Sequence, residues 1–134
     1  MQVQGSCHCG QVQYEAEIDP QKVSLCNCTD CQMLTGSVFR VSVPAPAATF
    51  KLLSGKLTEY VKTADSGVRR VHTFCPVCGT PVFARAEVDN PPGYSLRVGS
   101  LKQKAQLPPV KRIWCKSALP WSQDVSAIPA HPLG

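Results

Sequence analysis

Two stretches decide the reading of this chain: Gly5-Ser6-Cys7-His8-Cys9-Gly10 near the start and Phe74-Cys75-Pro76-Val77-Cys78-Gly79-Thr80 near the middle. Each carries two cysteines two or three positions apart, followed directly by glycine. At such spacings both sulfurs of a pair can point at one ion, whereas a disulfide between them would be strained. The glycines permit the tight knuckle turns that aim backbone amides at thiolate sulfurs. Together, Cys7, Cys9, Cys75 and Cys78 complete a four-thiolate set, which is the donor set of a closed, structural zinc site. One ion there would clip the start of the chain to its middle and contribute on the order of 10 kcal/mol of folding free energy.

A third cluster, Cys26-Asn27-Cys28-Thr29-Asp30-Cys31, supplies only three sulfurs. Three protein ligands with an open fourth position are the arrangement of a catalytic zinc. The expectation is therefore two zinc ions per chain, one holding the fold and one doing chemistry. Two other readings of the trio stay open: a second structural site closed by a ligand from elsewhere, and a labile redox or metal-buffering thiol set. The eighth cysteine, Cys115, is the obvious residue to close the site. Its apolar neighbours Ile113 and Trp114 predict instead an inert core thiol. His8, between two ligands, is expected to point away from metal. His72 lies on an apparent strand, facing the same way as Arg70 and Phe74, and is expected to line the pocket or its rim. His131 belongs to the tail, and none of the three has the spacing of a histidine ligand pair.

Around these clusters the pattern is that of a small, mainly β domain. Val12, Tyr14 and Ala16 alternate with polar residues, as do Phe39, Val41 and Val43 with Arg40 and Ser42. Phe50 and Leu52 flank Lys51 in the next short run. Leu57 to Lys62 and Val68 to Phe74 read as a hairpin across the turn formers Ala64-Asp65-Ser66-Gly67. Further strands are expected at Val82-Phe83-Ala84 and Tyr94 to Val98. The one credible helix is a short turn from Thr29 or Asp30 to Leu34, stopped by Gly36, with Asp30 read as its N-cap or as a residue taking part in catalysis. Twelve prolines argue against long helices. The fold class is thus an antiparallel β domain with knuckle turns and one or two short helical turns. Residues 1–134 read as one domain with a loop-like tail from about residue 122.

The start, Met1-Gln2-Val3-Gln4-Gly5, has neither a basic n-region nor an apolar run, and no stretch approaches a membrane span. A soluble, cytoplasmic protein is the expectation, and there clustered cysteines are metal ligands or redox groups before they are disulfides. The formal net charge is +5, from fourteen Lys and Arg against nine Asp and Glu. That favours anionic partners, but the basic residues form no long block. With aromatics at 7% there is no basic, stacking stripe of the kind nucleic-acid binding requires.

These motifs, with Thr35-Gly36-Ser37, Ile113-Trp114 and Leu119-Pro120-Trp121, resemble the glutathione-dependent formaldehyde-activating enzyme (GFA) family, which shares its domain with centromere protein V. The resemblance implies an Mss4-like fold with two zinc sites, the Cys26/Cys28/Cys31 trio carrying the catalytic one. It further implies a carbon–sulfur lyase-type activity that joins formaldehyde to glutathione as S-hydroxymethylglutathione. Glutathione would be the small-molecule thiol partner, its carboxylates received by Arg40, Arg69, Arg70 or Arg112. Gln32 stands where many relatives have Arg, and Arg112 where many have His. The centromere relative suggests the alternative, a non-enzymatic zinc-binding module for a protein or nucleic-acid partner.

Overall fold

The computed structural model describes residues 1–134 and divides the chain between two sheets. The smaller comprises β1 (Gln2–Ser6), β2 (Gln13–Glu17) and β5 (Lys51–Ser54), in the order β1-β2-β5 and antiparallel throughout. The larger has seven strands: β3 (Ser24–Cys26), β4 (Arg40–Pro46), β6 (Thr58–Thr63), β7 (Arg69–Phe74), β8 (Pro81–Ala86), β9 (Gly93–Arg97) and β10 (Lys111–Ile113), in the order β10-β3-β4-β9-β8-β7-β6. Only β10–β3 is parallel. The α-helix α1 (Thr29–Thr35) follows β3, and Gly36 ends it at φ 64°, a left-handed conformation that suits glycine. The other helical pieces are 3-10 turns of three or four residues. No helix is long and apolar enough to cross a membrane.

Strand registers sort the large sheet into two chemically different faces, because side chains in directly opposed positions project the same way. On one face Val43 opposes Leu96, Leu96 opposes Phe83 and Phe83 opposes Thr73, all of them buried. This face meets the small sheet, whose Val3, Tyr14 and Ala16 are fully buried. A cluster of Tyr14, Phe50, Phe83 and Tyr94, with centroids 4.3–5.3 Å apart, fills the space between. Tyr14 keeps its hydroxyl satisfied inside this core by bonding Ser100 Oγ at 2.6 Å.

The opposite face departs from the alternation read in the sequence. Arg40 and Ser42, expected to face solvent, are buried. The physical reason is a second layer: α1 packs on β4 and covers that face, so both sides of the strand are inside. Leu52, beside Lys51 in its short run, is exposed, because β5 edges the small sheet and all its residues are exposed.

Candidate metal centre and its cavities

The four-cysteine set assembles as its spacing implied. Cys7 and Cys9 lie in the turn after β1, and Cys75 and Cys78 in the turn between β7 and β8. All four sulfurs lie within 4.8 Å of one another. Cys7 and Cys9 sulfurs are 3.4 Å apart, Cys9 and Cys75 sulfurs 3.8 Å. Tetrahedral zinc with Zn–S bonds of about 2.3 Å spaces its sulfurs about 3.8 Å apart, so the donor set fits that ion. Gly10 and Gly79 take φ of 82° and 76°. The Val12 amide donates to Cys7 Sγ at 3.2 Å. His8 is exposed, and its backbone N–H reaches Thr80 Oγ1 at 3.0 Å, a second tie between the two turns. The Thr80 hydroxyl and nearby amides bring the Cys78 thiol down to about 5. At Cys7, burial is outweighed by the Val12 amide and the neighbouring sulfurs, and the thiol is also lowered.

Cys26, Cys28 and Cys31 also converge within 4.8 Å. Cys26 ends β3, Cys28 is the N-cap of α1, and Cys31 lies in its first turn. The cap is a sulfur: Cys28 Sγ accepts the Cys31 amide at 3.3 Å. This corrects the reading of Asp30 as N-cap. Its carboxylate instead pairs with Lys62 on β6 at 2.5 Å, tying the helix start to the far edge of the sheet. Burial pushes Cys26 up to about 12 and also raises Cys31. At Cys28 burial acts the same way but is overcome by the Cys31 amide and its sulfur neighbours, leaving a net fall. A trio that concentrates negative charge on one sulfur, with two more sulfurs in reach, has the chemistry of a soft divalent-metal site.

Cys115 does not close it. The thiol is exposed and lies outside the converging set, contrary to the expectation of a core thiol. The cause is local. β10 is an exposed edge strand, and Trp114 sits at φ 56°, ψ 39°, turning the chain into a surface 3-10 turn that contains Cys115.

Asn27, between the first two ligands, is fully buried and was not singled out by the sequence reading. Its amide N–H and Nδ2 both donate to Ile113 O, at 3.0 and 3.2 Å, and its Oδ1 accepts from Gln123 Nε2 at 3.1 Å. It therefore locks the cysteine loop to β10 and to the turn beyond. Gln32 does similar work, donating from Nε2 to Asn27 O and Ser117 O, each at 3.0 Å. Arg112 holds Gln123 through a 2.7 Å bond, and Arg69 pairs with Glu87. The signal for Asn27 was present as a polar residue between two ligands, but its partners come from the other end of the chain.

Two cavities flank α1. One, of about 390 Å³, is lined by Leu34, Arg40, Tyr60, His72, Phe74 and Arg97, among others. The other, of about 830 Å³, is lined by Cys28, Asp30, Tyr60, Lys62, Trp114 and Lys116, among others. Tyr60 belongs to both walls. The strand registers explain the smaller one: Cys26 opposes Arg40, Ser42 opposes Arg97, and His72 opposes both Ala84 and Tyr60. Arg97 donates to Ser42 Oγ at 2.9 Å and lies 3.3 Å from His72 Nδ1. Burial, then the charge of Arg97, hold His72 down at about 4, so its Nδ1 is an acceptor at neutral pH. Burial and Arg40 lower Arg97 to about 9, which leaves it charged.

A mainly β domain with an Mss4-like fold and two cysteine clusters compatible with metal binding is the class this architecture defines. The chain belongs to the glutathione-dependent formaldehyde-activating enzyme (GFA/CENP-V) family, whose model matches residues 2–117. A solved crystal structure of a Rhodobacter sphaeroides protein shares the fold at a TM-score of 0.62 and 24% identity, covering 84% of this chain and 99% of that chain. Comparison with curated proteins returns no match.

Proposed function

We propose that this chain is a zinc-dependent carbon–sulfur lyase-type enzyme acting on a small thiol adduct, with glutathione as the thiol and formaldehyde as its carbonyl partner. The observation that carries this reading is the trio itself: three sulfurs converge with no fourth side chain among them, beside two cavities whose walls carry Arg40, Arg97, Lys62 and Lys116. In this reading Cys7, Cys9, Cys75 and Cys78 hold a structural zinc, and Cys26, Cys28 and Cys31 hold the reactive one. Zinc at the trio would supply the positive charge that keeps a thiol ionised at neutral pH and polarises a carbonyl.

The chain's own residues do the rest. The Asn27 and Gln32 bonds tie the backbone of the cysteine loop to β10 and the turn beyond it. The Asp30–Lys62 pair holds the start of α1 over the sheet, where Cys28 opens to the larger cavity. Trp114 and Lys116 form the outer wall, with the ammonium 5.4 Å from the indole centroid, giving an apolar surface beside a charge. In the addition, the thiol proton is released, a sulfur lone pair forms the C–S bond to the carbonyl carbon, and the carbonyl oxygen takes up a proton. The lyase direction breaks the same bond and returns the pair to sulfur.

The binding-module alternative draws on the positive charge balance and Arg69-Arg70; Arg69 is exposed but already paired with Glu87 at 3.0 Å, which weakens that pair as a basic footprint. A glutathione titration of the cobalt-substituted protein tests the proposal. Cobalt(II) takes tetrahedral thiolate sites and reports a new sulfur ligand in its visible spectrum. A saturable shift that disappears in Cys28→Ser is the expected result; full cobalt loading with no shift overturns it.

A further inference from the structure

Trp114 is the one residue other than glycine with a positive φ, at 56°. A bulky side chain in the left-handed region costs free energy that surrounding contacts must offset, and such strain gathers where a fold holds a group for use. Here the contacts come from the cysteine loop. Asn27 holds the Ile113 carbonyl, just before Trp114, through bonds of 3.0 and 3.2 Å. Gln32 holds the Ser117 carbonyl, just after it, at 3.0 Å. The turn closes on itself through the Ser117 N–H, which donates to the Trp114 carbonyl at 3.1 Å. None of this buries the indole, which stays 55% exposed. Core packing therefore does not explain the strain; the loop holds an open ring in a fixed place beside the metal-ligand segment.

That ring stands on the wall of the cavity of about 830 Å³ that Cys28 also lines. Tyr60, 52% exposed, stands on the same wall. The two rings come from opposite ends of the seven-stranded sheet, Tyr60 from edge strand β6 and Trp114 from the turn after edge strand β10. The sheet thus curls to bring its edges together over the start of α1. Apart from the metal ligand, the ionised side chains of the cavity balance: Asp30 pairs with Lys62, and Asp65 offsets Lys116. Two aromatic rings in a charge-balanced cavity favour an uncharged, planar apolar group, which stacking and burial stabilise without a counter-ion. Neither glutathione nor formaldehyde offers such a group, so neither accounts for the rings.

We propose that Trp114 and Tyr60 form a stacking subsite for an uncharged aromatic group, so that the adduct handled at the trio carries an aryl substituent on its carbonyl carbon. That an adduct is handled there rests on the function proposed above; the subsite itself stands on the strained indole and the cavity. The bonds made are those of any aldehyde. A sulfur lone pair forms the C–S bond to the aryl aldehyde carbon, the thiol proton passes to the oxygen, and the product is a hemithioacetal, with no oxidant or reductant consumed. Because Cys28 and Trp114 line one cavity, one molecule can hold its sulfur at the trio and its ring on the indole.

The test uses the zinc-loaded chain carrying Trp121→Phe, which leaves Trp114 as its sole indole. Three probes without sulfur are compared by calorimetry and indole emission: benzamide, acetamide, which lacks the ring, and benzoate, which is charged. Benzamide is expected to bind saturably and change the Trp114 emission, acetamide to do neither, and benzoate to bind no tighter than benzamide. Trp114→Ala should weaken benzamide about tenfold by calorimetry, and Tyr60→Leu by a smaller factor. Trp114→Gly relieves the left-handed backbone, so its Tm should not fall although benzamide binding is lost. An indole that merely holds the fold predicts the reverse, a lower Tm with benzamide still bound. If a variant unfolds, the emission of the Trp121→Phe chain decides, since a ring bound elsewhere leaves Trp114 unchanged. Absence of saturable benzamide binding overturns the subsite, as does binding that survives loss of the indole. Tighter binding of benzoate would overturn the assignment of an uncharged group. A parallel titration of cobalt-loaded protein with 2-mercaptoethanol, an uncharged thiol, separates the two proposals. A thiol response without benzamide binding removes the subsite and spares the enzyme reading; benzamide binding without a thiol response does the reverse.

Discussion

In the four-cysteine cluster, Cys9 meets Cys75 across 66 residues of chain, and the two turns it joins belong to different sheets. In the three-cysteine cluster all ligands lie between residues 26 and 31, on one strand end and one helical turn. An ion in the first would close a long loop and hold the two sheets in register, so its binding energy becomes folding energy. An ion in the second would close almost nothing, because the Asn27 and Gln32 bonds already fix that loop. The environments differ in the same sense. Two of the four ligands, Cys7 and Cys75, are rooted in the core at 4% and 1% exposure while Cys9 is exposed; no residue of the trio is buried, and Cys28 borders a cavity. Identical donor chemistry thus separates into a site suited to holding and one suited to exchanging ligands, according to what the surrounding chain leaves for the ion to do.

The sharpest way to break this contrast is to remove one ligand from each side. Cys75→Ser is expected to cost about 10 kcal/mol, comparable with the whole net stability of a domain, and to leave the chain unfolded by circular dichroism. Cys28→Ser should stay folded and lose one metal ion per chain by elemental analysis, together with its response to thiols. Equal unfolding by both substitutions would erase the distinction between the clusters.

A smaller effect concerns the cavity wall beside the trio. His72 has a folded-state value of about 4 against an ordinary 6.5, so the folded state binds fewer protons than the unfolded one in that interval. Stability from this group is present above pH 6.5 and is lost as pH falls towards 4. His72→Gln should therefore reduce the loss of Tm between pH 6.5 and 4; an unchanged slope would mean that the imidazole titrates normally. Smaller again is Gly36→Ala, which forces a Cβ into the left-handed end of α1 and should cost about 1 kcal/mol in thermal unfolding. Cys115→Ser is expected to change neither metal content nor thiol binding, and loss of a metal ion in that variant would show that the trio does have a fourth protein ligand.

Much of this was legible in the chain itself. Short-range spacing made the Cys7/Cys9 and Cys75/Cys78 pairs and the 26–31 trio readable, because a ligand pair is a local object. The β6–β7 hairpin and the stop of α1 at Gly36 were readable for the same reason, each being set by a turn of few residues. Tertiary packing decided the rest. Arg40 and Ser42 sit at positions whose polarity reads as solvent-facing, and only the placement of α1 over β4 puts them inside. Arg97 becomes a candidate ligand-binding residue because β9 pairs with β4 so that Arg97 opposes Ser42, a neighbour 55 residues away. Asp30 looked like a helix cap until a sulfur took that place and Lys62 arrived from β6. Cys115 looked like core until the Trp114 backbone turned it outward. Spacing within a few residues determines which atoms can meet one ion; which face of a strand is covered depends on elements that the strand's own residues do not encode.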